Sequence, residues 1–188
     1  MQPLVSQSNK TRTTNEQAHI SLLLRVAEQD KLAFESLYQV YHNKIYRFSF
    51  RVLGNSKHAD DVVNDTMFVV WKKAVTYDHS CKLSTWILGI AYNKARKYFS
   101  SQAGVDQNEH TLEPIYDSCP LKIFEQQEWL EAGLVALSSE QRTVFELTYY
   151  YELHYREIAD VMNCSENTVK TRMFYARRKL TELMKEKS

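Results

Sequence analysis

The sequence predicts an all-α protein: two small helical domains joined by an acidic linker, the second built around a helix-turn-helix. Three observations carry that expectation. Only 4 Gly and 3 Pro occur in 188 residues, too few for turn-rich β architecture. Apolar residues recur at three- and four-residue steps in several stretches, and none alternates convincingly as a strand would. The nearest strand signal, Tyr149-Tyr150-Tyr151, sits at a predicted helix end. Charge is segregated along the chain although the net is only +1. Residues 1–99 carry fourteen cations against eight acids, whereas residues 100–128 carry one cation, Lys122, against six acids.

Residues 1–15 are polar and are expected to be disordered. The first domain spans 16–101 and opens with a weak helix over Glu16–Glu28. Leu32–Leu53 is amphipathic and stops at Gly54, a natural residue for the left-handed position after a helix. Lys57–Val75 forms the next helix, with Val62, Val63, Met67, Val70 and Trp71 inward. A short polar loop, Asp78–Leu83, precedes a helix that Ser84 can cap and that runs to about Ser101.

Gly104, Pro114 and Pro120 interrupt the acidic stretch that follows, so 102–120 reads as a flexible linker. The second domain covers 121–188. Ser138-Ser139-Glu140-Gln141 is a capping box that opens a helix to about Tyr151. From Tyr155 two helices follow, joined by a tight turn. Ile158, Ala159, Val161 and Met162 supply the apolar face of the first, and Ala159 is small where two helices must cross closely. Ser165 caps the second, whose apolar stripe is Val169, Met173, Ala176, Leu180 and Leu183. The spacing from Glu157-Ile158-Ala159 to Thr168-Val169 fits a helix-turn-helix.

Charge points to what these helices meet. Asn167–Lys185 holds Lys170, Arg172, Arg177, Arg178, Lys179 and Lys185 against Glu182 alone. A basic helix on an otherwise acidic domain suits a duplex, although solvated surface cations would look similar. Tyr92–Phe99 interleaves three cations with three aromatics and has no acid. Cations hold phosphates and rings stack on exposed bases, so this helix suits a DNA strand; its rings at helical spacing could equally be core. Asp60, Asp61 and Asp65, with Asn64 beside them, form an acidic patch that cannot help hold DNA and would better meet a basic protein surface. The helix macrodipole is a sufficient structural reason for the first two.

Other classes find little support. The three cysteines, Cys81, Cys119 and Cys164, lack paired spacing and read as reduced thiols. No nucleophile–base pair, phosphate loop or metal cluster is legible, and no cofactor or small-molecule substrate is expected. The longest apolar runs, such as Trp86–Tyr92, are too short to span a bilayer, and Ser6–His19 is too polar for a signal peptide. A soluble, cytoplasmic protein without direct membrane insertion is expected.

Taken together the motifs resemble a bacterial RNA polymerase sigma factor of the extracytoplasmic-function type within the sigma-70 family. Asp61-Val-Val-Asn-Asp-Thr-Met-Phe-Val-Val-Trp71 resembles that family's core-polymerase-binding helix. Leu83–Tyr98 resembles its −10-element segment, and Leu137–Phe145 with the helix-turn-helix resembles its −35-reading domain. The resemblance implies that Asp61, Asn64 and Asp65 contact core polymerase; Asn64 and Asp65 are each one methylene shorter than the Gln and Glu of the family pattern. It implies that His79, Ser80, Cys81, Lys82, Leu83 and Ser84 pocket a flipped base of the −10 strand, with Trp86 at the edge of the melted duplex. Asn93, Lys94, Arg96 and Lys97 would lie along that DNA. Ser165, Glu166, Asn167, Thr168, Lys170, Thr171, Arg172 and Tyr175 would enter the −35 major groove. Implied partners are core RNA polymerase, promoter DNA and an anti-sigma factor, often membrane-tethered in that family; the protein would not be an enzyme. Two rivals from other classes stand beside this reading. One is a helix-turn-helix regulator that binds DNA without polymerase, and the other is an interaction protein that mimics a sigma factor.

Overall fold

The computed structural model describes residues 5–102 and 133–186, so the linker residues 103–120 and the expected start of the second domain at Leu121 lie outside the described residues. All regular structure among the described residues is helical. The order is α1 (Val5–Ala27), α2 (Lys31–Leu53), α3 (Ser56–Lys73), a 3₁₀ turn (Ala74–Thr76), α4 (Leu83–Gln102), α5 (Ser139–Tyr149), α6 (Tyr155–Met162) and α7 (Glu166–Glu186). The first helix starts at Val5, so part of the stretch expected to be disordered is helical.

Local chemistry sets most boundaries. Asp30 caps α2 by accepting from the Leu32 and Ala33 N–H groups at 2.9 and 3.1 Å, and Arg25 grips the same carboxylate at 2.6 Å. Gly54 ends α2 with φ 67°, donating its N–H to the Phe50 carbonyl; a side chain there would be strained. Asn55 accepts from His58 N–H to start α3. The expected capping box at Ser138 forms with both of its bonds, to and from Gln141.

In the first domain α2 is central. Its Leu37, Tyr41, Ile45 and Phe48 are almost wholly buried against Leu23 and Val26 of α1, Val62, Val63, Met67 and Val70 of α3, and Leu83, Ile87, Ala91 and Ala95 of α4. Each buried Val, Leu, Ile, Met or Phe side chain here contributes roughly 1.5–3 kcal/mol by leaving water. Trp71, expected inward, is half-buried and meets Phe34 edge-on at 5.1 Å. In the second domain Val144 and Leu147 of α5, Ile158, Val161 and Met162 of α6, and Val169, Met173 and Ala176 of α7 form the equivalent core.

The two domains pack directly on each other, α2 against α5 and α4 against α6. At Gly89 the helices approach closely, and an added Cβ would stand 3.8 Å from the Val161 backbone. Polar groups frame this interface. Lys82 Nζ meets Glu157 Oε1 at 2.8 Å, Arg142 donates to the Val52 carbonyl at 3.3 Å, and the Tyr151 hydroxyl donates to the Lys44 carbonyl at 2.6 Å. Arg51 lies 3.6 Å over the Tyr150 ring and 3.4 Å from Glu146 Oε2.

Candidate nucleic-acid and protein-docking surfaces

The acidic surface is built by the spacing of α3. Turning Val62, Val63, Met67 and Val70 into the core leaves Asp60, Asp61, Asn64, Asp65 and Phe68 on the outer face. The patch is engaged with its surroundings. Asn64 Oδ1 accepts from the Tyr38 hydroxyl at 3.3 Å. Asp65 holds Lys94 of α4 at 3.1 Å and lies 4.0 Å from Lys97. Burial and then the neighbouring Asp61 and Asp65 carboxylates push the Tyr98 hydroxyl above its usual range. Phe68 is 55% exposed on this face, one turn beyond Asp65, with Lys72 over its ring at 4.4 Å. Sequence reasoning missed Phe68, although an aromatic one turn beyond Asp65 on the polar side of α3 was a usable signal.

The loop before α4 is held by its own side chains. Asp78 Oδ1 accepts from Ser80 N–H at 3.0 Å, and the hydrogen bonds from Ser80 hold that carboxyl below its usual range. His79 adopts a left-handed φ of 59°. The Tyr77 hydroxyl donates to the Cys81 carbonyl at 2.7 Å, while its ring sits 4.6 Å from His79 and 5.5 Å from Trp86. Burial, with Glu16 next in weight, pushes Tyr77 up to about 12. Tyr77 is thus the hub of the loop, and its place immediately before the polar run was the overlooked signal. His79, Ser80 and Lys82 are exposed, whereas Cys81, Ser84 and Trp86 are half-buried. Leu83 is fully buried, so it anchors the loop to the core.

Ser84 does not cap α4. The helix begins one residue earlier, and its first N–H, that of Leu83, donates to Glu16 Oε1 at 2.6 Å. Along α4, Asn93, Arg96 and Lys97 share one exposed face while Tyr92 and Ala95 turn inward. Lys94 lies off that face, held by Asp65.

The turn between α6 and α7 is closed by Asn163 in the left-handed conformation, φ 49° and ψ 54°, a position Asn tolerates better than most residues. Ser165 Oγ accepts from Thr168 N–H at 3.1 Å and caps α7 as expected. With Val169, Met173, Ala176 and Leu180 buried, α7 presents Glu166, Asn167, Lys170, Thr171, Phe174, Tyr175, Arg177 and Arg178. Glu166 and Lys170 pair at 2.9 Å along this face. Thr168 is half-buried. Arg172 turns the other way: it is half-buried, reaches Cys164 Sγ at 3.8 Å and lies near Tyr92 of the first domain. Phe174, Arg177 and Arg178 share the outer face and were not singled out as contacts, although the last two stood out in the charge count.

Burial by itself would raise the Glu157 carboxyl, yet Lys82 and the His154 backbone N–H together hold it below its usual range. The loop before α4 and the helix-turn-helix are joined by this ion pair. Among the described residues no group of three or more His, Cys, Asp and Glu is placed to hold a metal, and no helix is long and apolar enough to cross a membrane.

Comparison with known proteins lands on the same segments. Residues 37–104 match the family model for Sigma-70 region 2, and residues 127–180 match that for Sigma-70, region 4. The ECF RNA polymerase sigma factor SigW of Bacillus subtilis (strain 168) is 26% identical over 176 residues, covering 86% of this chain and 94% of that protein. Among solved structures, CnrH in complex with the cytosolic domain of CnrY aligns with TM-score 0.67 at 22% identity, over 91% of this chain and 99% of that one. The sigma factor RpoE in complex with the anti-sigma factor NepR from Bartonella quintana aligns with TM-score 0.61 at 25% identity, over 81% of this chain and 96% of that one.

Proposed function

Because the chain belongs to the sigma-70 family of RNA polymerase sigma factors, in its extracytoplasmic-function branch, we infer how its surfaces divide the work of promoter-directed transcription initiation. The outer face of α3 docks on core RNA polymerase through Asp61, Asn64 and Asp65, with Phe68 as the apolar centre of the contact. Aromatic residues, Phe among them, are enriched at protein–protein interfaces relative to the rest of the surface. The α4 face of Asn93, Arg96 and Lys97 follows the −10 DNA, the loop from His79 to Ser84 captures a flipped base, and Trp86 sits beside the melted edge. Lys94 joins them once Asp65 is drawn to the polymerase. The exposed side of α7 enters the −35 major groove.

Unpairing costs a few kcal/mol per flipped base, and contacts in the capturing loop must offset it. One helix-turn-helix reads only a few base pairs, so a second linked anchor supplies specificity. The two promoter elements, some 17 base pairs apart, are separated by roughly 58 Å at 3.4 Å per step. A linker of about twenty residues spans ~65–70 Å when extended, whereas a flexible coil of that length averages about 25 Å. The packed domains must therefore part, and core polymerase is the frame that holds them apart.

The chain performs no chemistry of its own and works in the cytoplasm, where polymerase is. An anti-sigma protein is the third partner, as it is for the RpoE structure aligned above. The observation that carries this reading is that matches to two sigma regions fall, in order, on the helices whose outward faces are acidic, basic and basic. Gel filtration with core RNA polymerase tests it: the chain co-elutes and the Asp61→Arg variant does not. A folded monomer that never co-elutes would instead revive the independent regulator or the mimic.

A further inference from the structure

The loop proposed to capture a base is exposed and carries a left-handed residue, so something must hold it in shape before DNA arrives. Two of its ties are local, Asp78 to Ser80 N–H and Tyr77 to the Cys81 carbonyl. The third comes from far away in sequence. Glu16 Oε1 accepts the Leu83 N–H at 2.6 Å, 67 residues along the chain, where the residue before α4, Lys82, carries no side-chain acceptor that could cap it. Helix α1 reaches this point because it packs on α2 and on the 3₁₀ turn Ala74–Thr76 that leads into the loop.

We propose that Glu16 is a positioning residue for −10 strand capture, fixing the end of the capturing loop by capping α4 from α1. The proposal rests on the function read above. A carboxylate on the first amide of a helix combines a charge-assisted hydrogen bond with the favourable end of the helix dipole. Leu83 is buried immediately below, so the bond fixes the frame from which Lys82, Cys81 and Ser80 project. This tie also differs in kind from the Lys82–Glu157 pair. Lys82 is bound to the second domain and is released when the domains part, whereas Glu16 and Leu83 both belong to the first domain and stay joined on polymerase.

The test measures open-complex formation by holoenzyme assembled from core polymerase and the full chain, on intact promoter DNA and on DNA with abasic sites scanned through the −10 strand. Glu16→Ala loses on the order of tenfold in open complex on intact DNA, the scale of one partly buried hydrogen bond to a charged group. Glu16→Gln keeps the acceptor oxygen and retains most of the activity. Glu16→Asp keeps the charge but withdraws the oxygen and behaves like Glu16→Ala. On DNA lacking the captured base, wild type and Glu16→Ala become equal, a convergence that a general loss of folded protein would not produce. Equal activity of wild type and both short variants on intact DNA overturns the proposal, as does a deficit that persists at every abasic position. If wild type itself forms no open complex at any promoter, the reading of function fails first and this proposal with it.

Discussion

Glu146 is the residue whose replacement tests the packing most directly. It lies on α5 with no exposed surface; one carboxylate oxygen faces Arg51 of the first domain at 3.4 Å, and the other has no hydrogen-bond partner. Burial, only partly offset by Arg51 and Arg142, pushes its pKa from 4.5 up to about 7. A carboxyl raised in the packed state favours packing when protonated. Its contribution is therefore complete below the unperturbed value and is lost as pH rises to about 7. A shift of this size corresponds to about 3 kcal/mol at 1.36 kcal/mol per unit. Glu146→Gln keeps the shape and removes the charge. The variant is expected to match wild type near pH 4 and to exceed it by about 3 kcal/mol near pH 8, or ~6–12 °C in melting temperature for a chain of this size. Thermal unfolding of both proteins across that range is the assay. Parallel curves, with the same pH slope in wild type and variant, would refute the assignment of Glu146 as a buried carboxylate strained by the domain interface.

Three further outcomes are expected. Phe68→Ala weakens association with core polymerase by ~1–2 kcal/mol in a titration while leaving the melting temperature unchanged, because the ring is 55% exposed. Lys170→Ala reduces −35 duplex affinity uniformly across sequences and lowers the salt slope by about 1 in binding isotherms taken over a salt series, the signature of a phosphate contact. Ser165→Ala removes the cap on Thr168 N–H and costs about 1 kcal/mol in thermal unfolding, with −35 affinity falling alongside.

What proved legible was the chemistry that acts within a few residues. The Gly54 stop, the Ser138 capping box and the Ser165 cap each depend on a side chain or a backbone angle within three or four positions of the bond it makes. Apolar spacing placed Val62, Met67, Val169 and Met173 in the core for the same reason, since a helical face is fixed by the helix alone. Ser84 illustrates the limit. A serine near a helix start is a fair cap, but a carboxylate from α1 had already satisfied the first amide. Arg172 is a second case: it was counted with the DNA-facing cations, yet the crossing of α6 and α7 turns it toward Cys164 and Tyr92. Lys94 is a third, drawn to Asp65 by the approach of α3 to α4.

The sequence by itself determined most of the helices, the caps made by near neighbours, the segregation of charge and the order of family motifs, because each follows from neighbours along the chain or from composition. Only the tertiary structure decided which of those charges face water and which face each other. It set Asp65 against Lys94, Glu157 against Lys82 and the buried Glu146 against Arg51. These pairs join residues far apart along the chain, and the meeting of two distant side chains is fixed by how whole helices pack.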